Sequence, residues 1–153
     1  MQYWLVKSEP SCYSIEDLKR GKVGAWTDVR SYEARNNLRA MKKGDLLLFY
    51  HSSCAVPAVV GVAKVVKEAY PDPTQFDLKN EGYDVKSTKD NPRWSAIDVS
   101  LVDIFIEPLS LADIKKDAKF SGMELTKQGS RLSVQPVSEK HFTSVMKLRG
   151  KKV

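Results

Sequence analysis

Among the residues able to do chemistry, His51 and Cys54 are the one thiol–imidazole pair close together in sequence. Such a pair makes a nucleophile only when the two groups come within hydrogen-bond reach, about 2.6–3.2 Å. Three residues along a strand or turn do not secure that reach, so Cys54 reads as structural. The carboxylates are scattered, with no pair marked out for acid–base work. No G-x-G-x-x-G, P-loop, G-x-S-x-G or H-E-x-x-H occurs. Cys12, Cys54, His51 and His141 show neither C-x-x-C nor H-x-x-x-H spacing, so no metal centre and no cofactor is expected.

What the chain offers instead is aromatic surface beside positive charge. Trp26, Tyr32, Tyr50 and Trp94 can wall a pocket. Trp4 and Trp94 read as ordinary core. Trp26 reads as a loop residue between Gly24 and a basic segment, where an exposed indole needs a reason. A stacking wall beside Arg and Lys is how proteins hold an unpaired base. Asp28, two residues on, can accept from an exocyclic amine or cap the helix beginning at Ser31; the cap is the preferred reading.

The balance of 25 Lys+Arg against 19 Asp+Glu leaves +6, and residues 19–43 alone carry that surplus. Arg30, Arg35, Arg39 and Lys42 lie within it. A clustered basic field suits a polyanion, nucleic acid first and an anionic membrane surface second, although a solvated face explains charge alone equally well. At 153 residues the chain makes one domain with a full core. No run reaches the roughly 18 apolar residues of a membrane span, and the N-terminus has no signal-peptide pattern. A soluble, cytoplasmic monomer with reduced thiols is expected.

The elements that must position these residues follow from periodicity. Strands are expected over 2–7, 45–51, 58–68, 96–106 and 131–135, from branched and aromatic runs and period-two alternation. Gly61 reads as a bulge or bend in the valine-rich strand. Ser14 and Ser138 cap helices near 14–20 and 138–147, and 110–119 gives another short helix. Over 31–42, Ala34, Leu38 and Met41 form an apolar stripe with Arg35, Arg39 and Lys42 as a basic stripe beside it. Residues 69–93, with Pro71, Pro73 and Pro92, read as loop. Five or six strands without βαβ alternation argue α+β around an antiparallel or mixed sheet.

Four segments carry a resemblance. Tyr3-Trp4-Leu5-Val6-Lys7-Ser8-Glu9-Pro10 is the first, and the run from Trp26-Thr27-Asp28-Val29-Arg30 to Arg39 is the second. Phe49-Tyr50-His51-Ser52 and Gly129-Ser130-Arg131-Leu132-Ser133-Val134-Gln135-Pro136 complete the set. Together, in order and over nearly the whole chain, they resemble the EVE domain family. The resemblance implies a PUA-like fold: a curled β-barrel of five to six strands with flanking short helices, akin to PUA, ASCH and YTH modules. It also implies binding of nucleic acid, DNA or RNA, that carries a modified base.

Carried over to this chain, the resemblance makes Trp26 the stacking wall, with Tyr50 and His51 at the rim. Ser8 and Ser52 supply small hydroxyls, Asn36 and Asn37 an amide edge, and Arg131 and Ser133 the opposite side. Arg30, Arg35, Arg39 and Lys42 would meet phosphates. Two other readings compete: a small hydrolase or base-modifying enzyme using His51 as general base with Lys7 or Arg131 stabilising charge, and an adaptor for an acidic protein. Nucleophile–base spacing is missing while aromatics adjoin a basic field, so the binding module leads. A His51–carboxylate pair facing a cavity would favour the enzyme.

Overall fold

The computed structural model describes residues 1–151. Six strands form one mixed sheet: β1 (Tyr3–Ser8), β2 (Val23–Trp26), β3 (Leu46–His51), β4 (Ala58–Pro71), β5 (Ser95–Ser110) and β6 (Val134–Val137), in the order β2-β5-β4-β3-β1-β6. The β1–β3 pair is parallel and the others are antiparallel. The helices are α1 (Ile15–Gly21), α2 (Tyr32–Ala40), α3 (Leu111–Lys116) and α4 (Glu139–Leu148). Among the described residues no helix is long and apolar enough to cross a membrane.

Alternation divides the core between the two faces. Trp4, Val6, Leu47 and Phe49 point to one side with α1 and α2, while Leu5, Leu48 and Tyr50 point to the other with α3 and α4. A flat six-stranded sheet would hold its edges roughly 24 Å apart. Here Trp26 on one edge strand and Val134 on the other share one cluster. The sheet is therefore curled into an open barrel, as the α+β, PUA-like expectation required. The pairing ladder leaves β2 and β6 unjoined, and α2 lies across the gap against β5 and β6.

Curling depends on a bulge at Val60. Val59 pairs with Tyr50 and Gly61 with Phe49, leaving Val60 as the extra residue. The facing pattern flips there: Val60 joins the inner cluster and Val62 the outer. A Cβ on Gly61 would lie 2.3 Å from the Asp103 carbonyl and 2.4 Å from Ile15 Cδ1. Glycine thus lets β5 and α1 close on the bend. α1 starts with the capping box formed by Ser14 and Asp17, and Ser31, Ser110 and Ser138 cap the other three helices.

The structure corrects several boundaries. Trp26, expected in a loop, lies instead on β2, whose four residues form a strand because β5 offers Ile97–Ser100 as a partner. The last strand is Val134–Val137 rather than 131–135, and includes Pro136 because β6 is an edge whose outer side needs no donor. α2 ends at Ala40, since Asp45 draws the chain away: its carboxylate accepts from Lys42 N–H, the Trp4 indole and Gln2 N–H at 3.0–3.1 Å. Lys42 therefore lies past the helix, and the basic stripe keeps only Arg35 and Arg39 on it.

Candidate functional site

A cavity of about 540 Å³ opens at the seam where the curled sheet fails to close. β2 contributes Trp26, β1 contributes Lys7 and Ser8, and Ser133 comes from the approach to β6. Asp28 and Arg30, on the segment between β2 and α2, complete the polar wall.

Trp26 is a strand residue rooted in the core, not a loop residue. It is 7% exposed and meets Phe49 edge-to-face at 5.3 Å and Tyr13 at 6.1 Å. Gly24 gives Tyr13 its place, because a Cβ there would strike the phenol oxygen at 2.2 Å. Ser8 donates its hydroxyl to the Tyr13 carbonyl at 2.5 Å, which leaves the oxygen's acceptor capacity toward the cavity. The Ser133 carbonyl accepts from Lys7 N–H at 2.9 Å. Burial holds the Lys7 amine below the usual lysine range, against an opposing pull from Glu124.

Beneath Asp28 and Arg30 lies Asp72, fully buried at the end of β4. Its carboxylate accepts from Asp28 N–H (2.8 Å), Thr74 N–H (2.8 Å), the Thr74 hydroxyl (2.6 Å) and Arg30 Nη1 (3.1 Å). Arg30 also donates to the Gly82 carbonyl and the Thr74 hydroxyl, so its guanidinium is fixed at the cavity wall. The long loop after β4 is ordered by Gln75, whose buried amide binds Asp72, Ser87 and Trp94.

Several expected site residues lie elsewhere. Tyr50, 3% exposed, points into the outer core, one residue out of phase with Phe49. His51 is not in the cavity lining; its Nε2 accepts from Ile15 N–H at 3.1 Å at the start of α1, and burial lowers its pKa. Ser52 reaches the site only through its N–H, which donates to the Ser8 carbonyl. The Asn36 amide oxygen accepts from Arg35, and Asn37 donates to the Val134 carbonyl at 2.7 Å, fastening α2 to β6. Arg131 lines a separate cavity of about 350 Å³.

Of the four expected phosphate ligands, only Arg30 lines the main cavity. Arg35 donates to the Arg93 carbonyl, and Arg39 to the Ser95 hydroxyl and the carbonyls of Pro92 and Arg93. They tie α2 to the loop before β5 and keep their charge, with no carboxylate partner among the described residues. Lys42 is exposed. Asp28 is the residue misread in sequence: Ser31 caps α2 itself, accepting from Ala34 N–H. Its left-handed backbone, φ 66°, is one that Asp tolerates better than most residues, which is the signal sequence offered.

With this geometry in hand, comparison with known proteins is direct. The EVE domain model matches residues 2–148. Human thymocyte nuclear protein 1 is 43% identical over 169 residues, covering 97% of this chain and 74% of that protein. The crystal structure of human THYN1 protein in complex with 5-methylcytosine containing DNA superposes with a TM-score of 0.92 at 40% identity, covering all of both chains. A YTH domain from Zygosaccharomyces rouxii, solved with N6-methyladenosine RNA, shares the fold at a TM-score of 0.55 and 17% identity, over 99% of this chain and 88% of that one.

Proposed function

The chain belongs to the EVE domain family, and from that premise we propose that it binds nucleic acid by taking one modified base into the seam cavity. The cavity itself carries the reading: about 540 Å³, an indole on one wall, hydroxyls from Ser8 and Ser133, and fixed charge from Asp28 and Arg30. Removing a base from its stack costs a few kcal/mol. Stacking on an aromatic returns ~1–3 kcal/mol, and cationic contacts to phosphate supply the remainder without reading sequence. Arg30 sits in the wall, and Lys79 lies in an adjoining cleft of about 610 Å³ that shares Asp28 and Arg30 and also holds Glu81, so two cations flank the way out of the pocket for the backbone to meet. The human relative's complex with 5-methylcytosine containing DNA supports the same use of this fold.

Binding is favoured over catalysis because His51 is spent on α1 and pairs with no carboxylate among the described residues. The test is a fluorescence-anisotropy titration with oligonucleotides of one sequence carrying 5-methylcytosine, N6-methyladenine or no modification. Tighter binding of a modified strand is expected. Equal binding of all three would reduce the protein to a sequence-blind polyanion binder.

A further inference from the structure

Asp28 is an exposed aspartate held in the left-handed backbone region, φ 66°, which is sparsely populated by side chains other than glycine. The strain is held from below, where its N–H donates to the buried Asp72 carboxylate at 2.8 Å. Asp72 is in turn fixed by Thr74 and Arg30. Above, one carboxylate oxygen of Asp28 accepts from the Thr27 hydroxyl at 2.9 Å. The other has no donor among the described residues, and Asp28 enters no ion pair among them. Glycine at position 82 makes room for it, since a Cβ there would sit 2.5 Å from Asp28 Oδ1 and 2.7 Å from Arg30 Nη2. The chain has thus built a rigid, acceptor-only group into the cavity wall two residues from the indole and left it unsatisfied.

We propose that Asp28 sets the base class this pocket takes: its free carboxylate oxygen accepts a hydrogen bond from the exocyclic amine of a base lying against Trp26, so amino-bearing bases are held and their oxo counterparts refused. The inference rests on the reading that the cavity holds a base. Cytosine presents an amine where thymine presents a carbonyl oxygen. A carboxylate satisfies the first and repels the second, since both oxygens then offer only lone pairs. 5-Methylcytosine and thymine share the ring skeleton and the methyl group and differ only at N3 and the 4-position, so the pair separates contacts to that edge from shape and stacking. The base named in the human relative's DNA complex is of the amino class.

The experiment titrates single strands differing only by 5-methylcytosine, thymine or an abasic site at one position. It uses the wild-type protein, Asp28→Asn and Asp28→Gly. Both replacements suit a left-handed backbone, and matched melting temperatures verify the fold. The wild type should prefer 5-methylcytosine by roughly 10- to 100-fold, the discrimination of one good base-edge contact. Asp28→Asn should level that preference, because an amide can turn to donate or accept. Asp28→Gly should weaken 5-methylcytosine binding and strengthen thymine binding, since the carboxylate that attracts one and repels the other is gone. Equal wild-type binding of the two methylated pyrimidines, both above the abasic strand, overturns the role of Asp28 and leaves the base pocket standing. Preference retained in both variants also overturns that role. Wild-type binding of neither base above the abasic strand removes the pocket reading, and this inference with it.

Discussion

Trp26 does two jobs that are usually separate. Its edge-to-face contacts with Phe49 and Tyr13 root it in the inner core, while part of the indole borders the cavity. Replacing a tryptophan that is 7% exposed with alanine should cost ~3–5 kcal/mol of stability in urea denaturation. Modified-base binding per folded molecule should also fall, by ~1–3 kcal/mol. Stability loss with binding intact would make Trp26 a plug only. His51 makes a pH prediction. Burial depresses its pKa below the ordinary 6.5. Just below pH 6.5 the unfolded chain therefore binds a proton that the folded chain resists, and unfolding becomes easier as pH falls. Protonation also removes the Nε2 acceptor for Ile15 N–H. Melting temperatures between pH 7.5 and 5.5 should fall in the wild type more than in His51→Gln; parallel curves would exclude the mechanism.

Among the elements, β4 and α2 decide the shape of the site. The extra residue at Val60 bends β4 where Gly61 admits the Asp103 carbonyl and Ile15. Gly61→Ala places a methyl group within 2.4 Å of both; the Ile15 side chain can turn away, but the Asp103 carbonyl is main chain and cannot yield freely. A loss of ~1–3 kcal/mol is expected in chemical denaturation, as for an overpacked core. Unaltered stability would mean the bend relaxes at no cost. On α2, Arg39 and Lys42 should separate structure from electrostatics. Arg39→Gln loosens the loop at 92–95 and should lower stability, because its guanidinium holds the Ser95 hydroxyl and two carbonyls. Lys42→Gln touches no such bond. If Lys42 meets a phosphate, the log–log salt slope of binding should shrink by ~0.7–0.9; an unchanged slope assigns it to solvation.

Across the whole molecule, Asp72 is where distant segments meet. It joins the end of β4 to the 28–30 segment and to the turn carrying Thr74, while its N–H donates to the Trp94 carbonyl. The Arg30 guanidinium closes over it with its aromatic neighbour Trp94 at 5.5 Å. Asp72→Ala takes the buried carboxylate away from the half-buried Arg30 guanidinium and releases the Asp28 main chain, so a cost of ~1–3 kcal/mol is expected. Calorimetry measures that loss. Base discrimination should collapse in the molecules that stay folded, since Asp28 is then no longer aimed. A stable variant with unchanged discrimination would show that the wall is set by β2 alone.

Sequence by itself determined the elements whose signals are local. Serine caps at Ser14 and Ser138, the two-sided burial of β3, the bend at Gly61 and the stripe of Ala34, Leu38 and Met41 were all written in spacing and residue type. The resemblance read from four motifs matched the family and its PUA-like architecture. Tertiary structure alone decided what depends on partners distant in the chain. β2 exists because β5, over seventy residues later, pairs with it. Phase on β3 sent Tyr50 outward beside an inward Phe49. Asn37 and Arg39 look like ligands in sequence but fasten α2 to Val134 and Ser95. Asp28 looked like a cap until Ser31 took that role and a buried Asp72 turned its backbone. A hydrogen-bonding side chain goes to whichever partner the fold brings within about 3 Å, and no spacing along the chain records that choice.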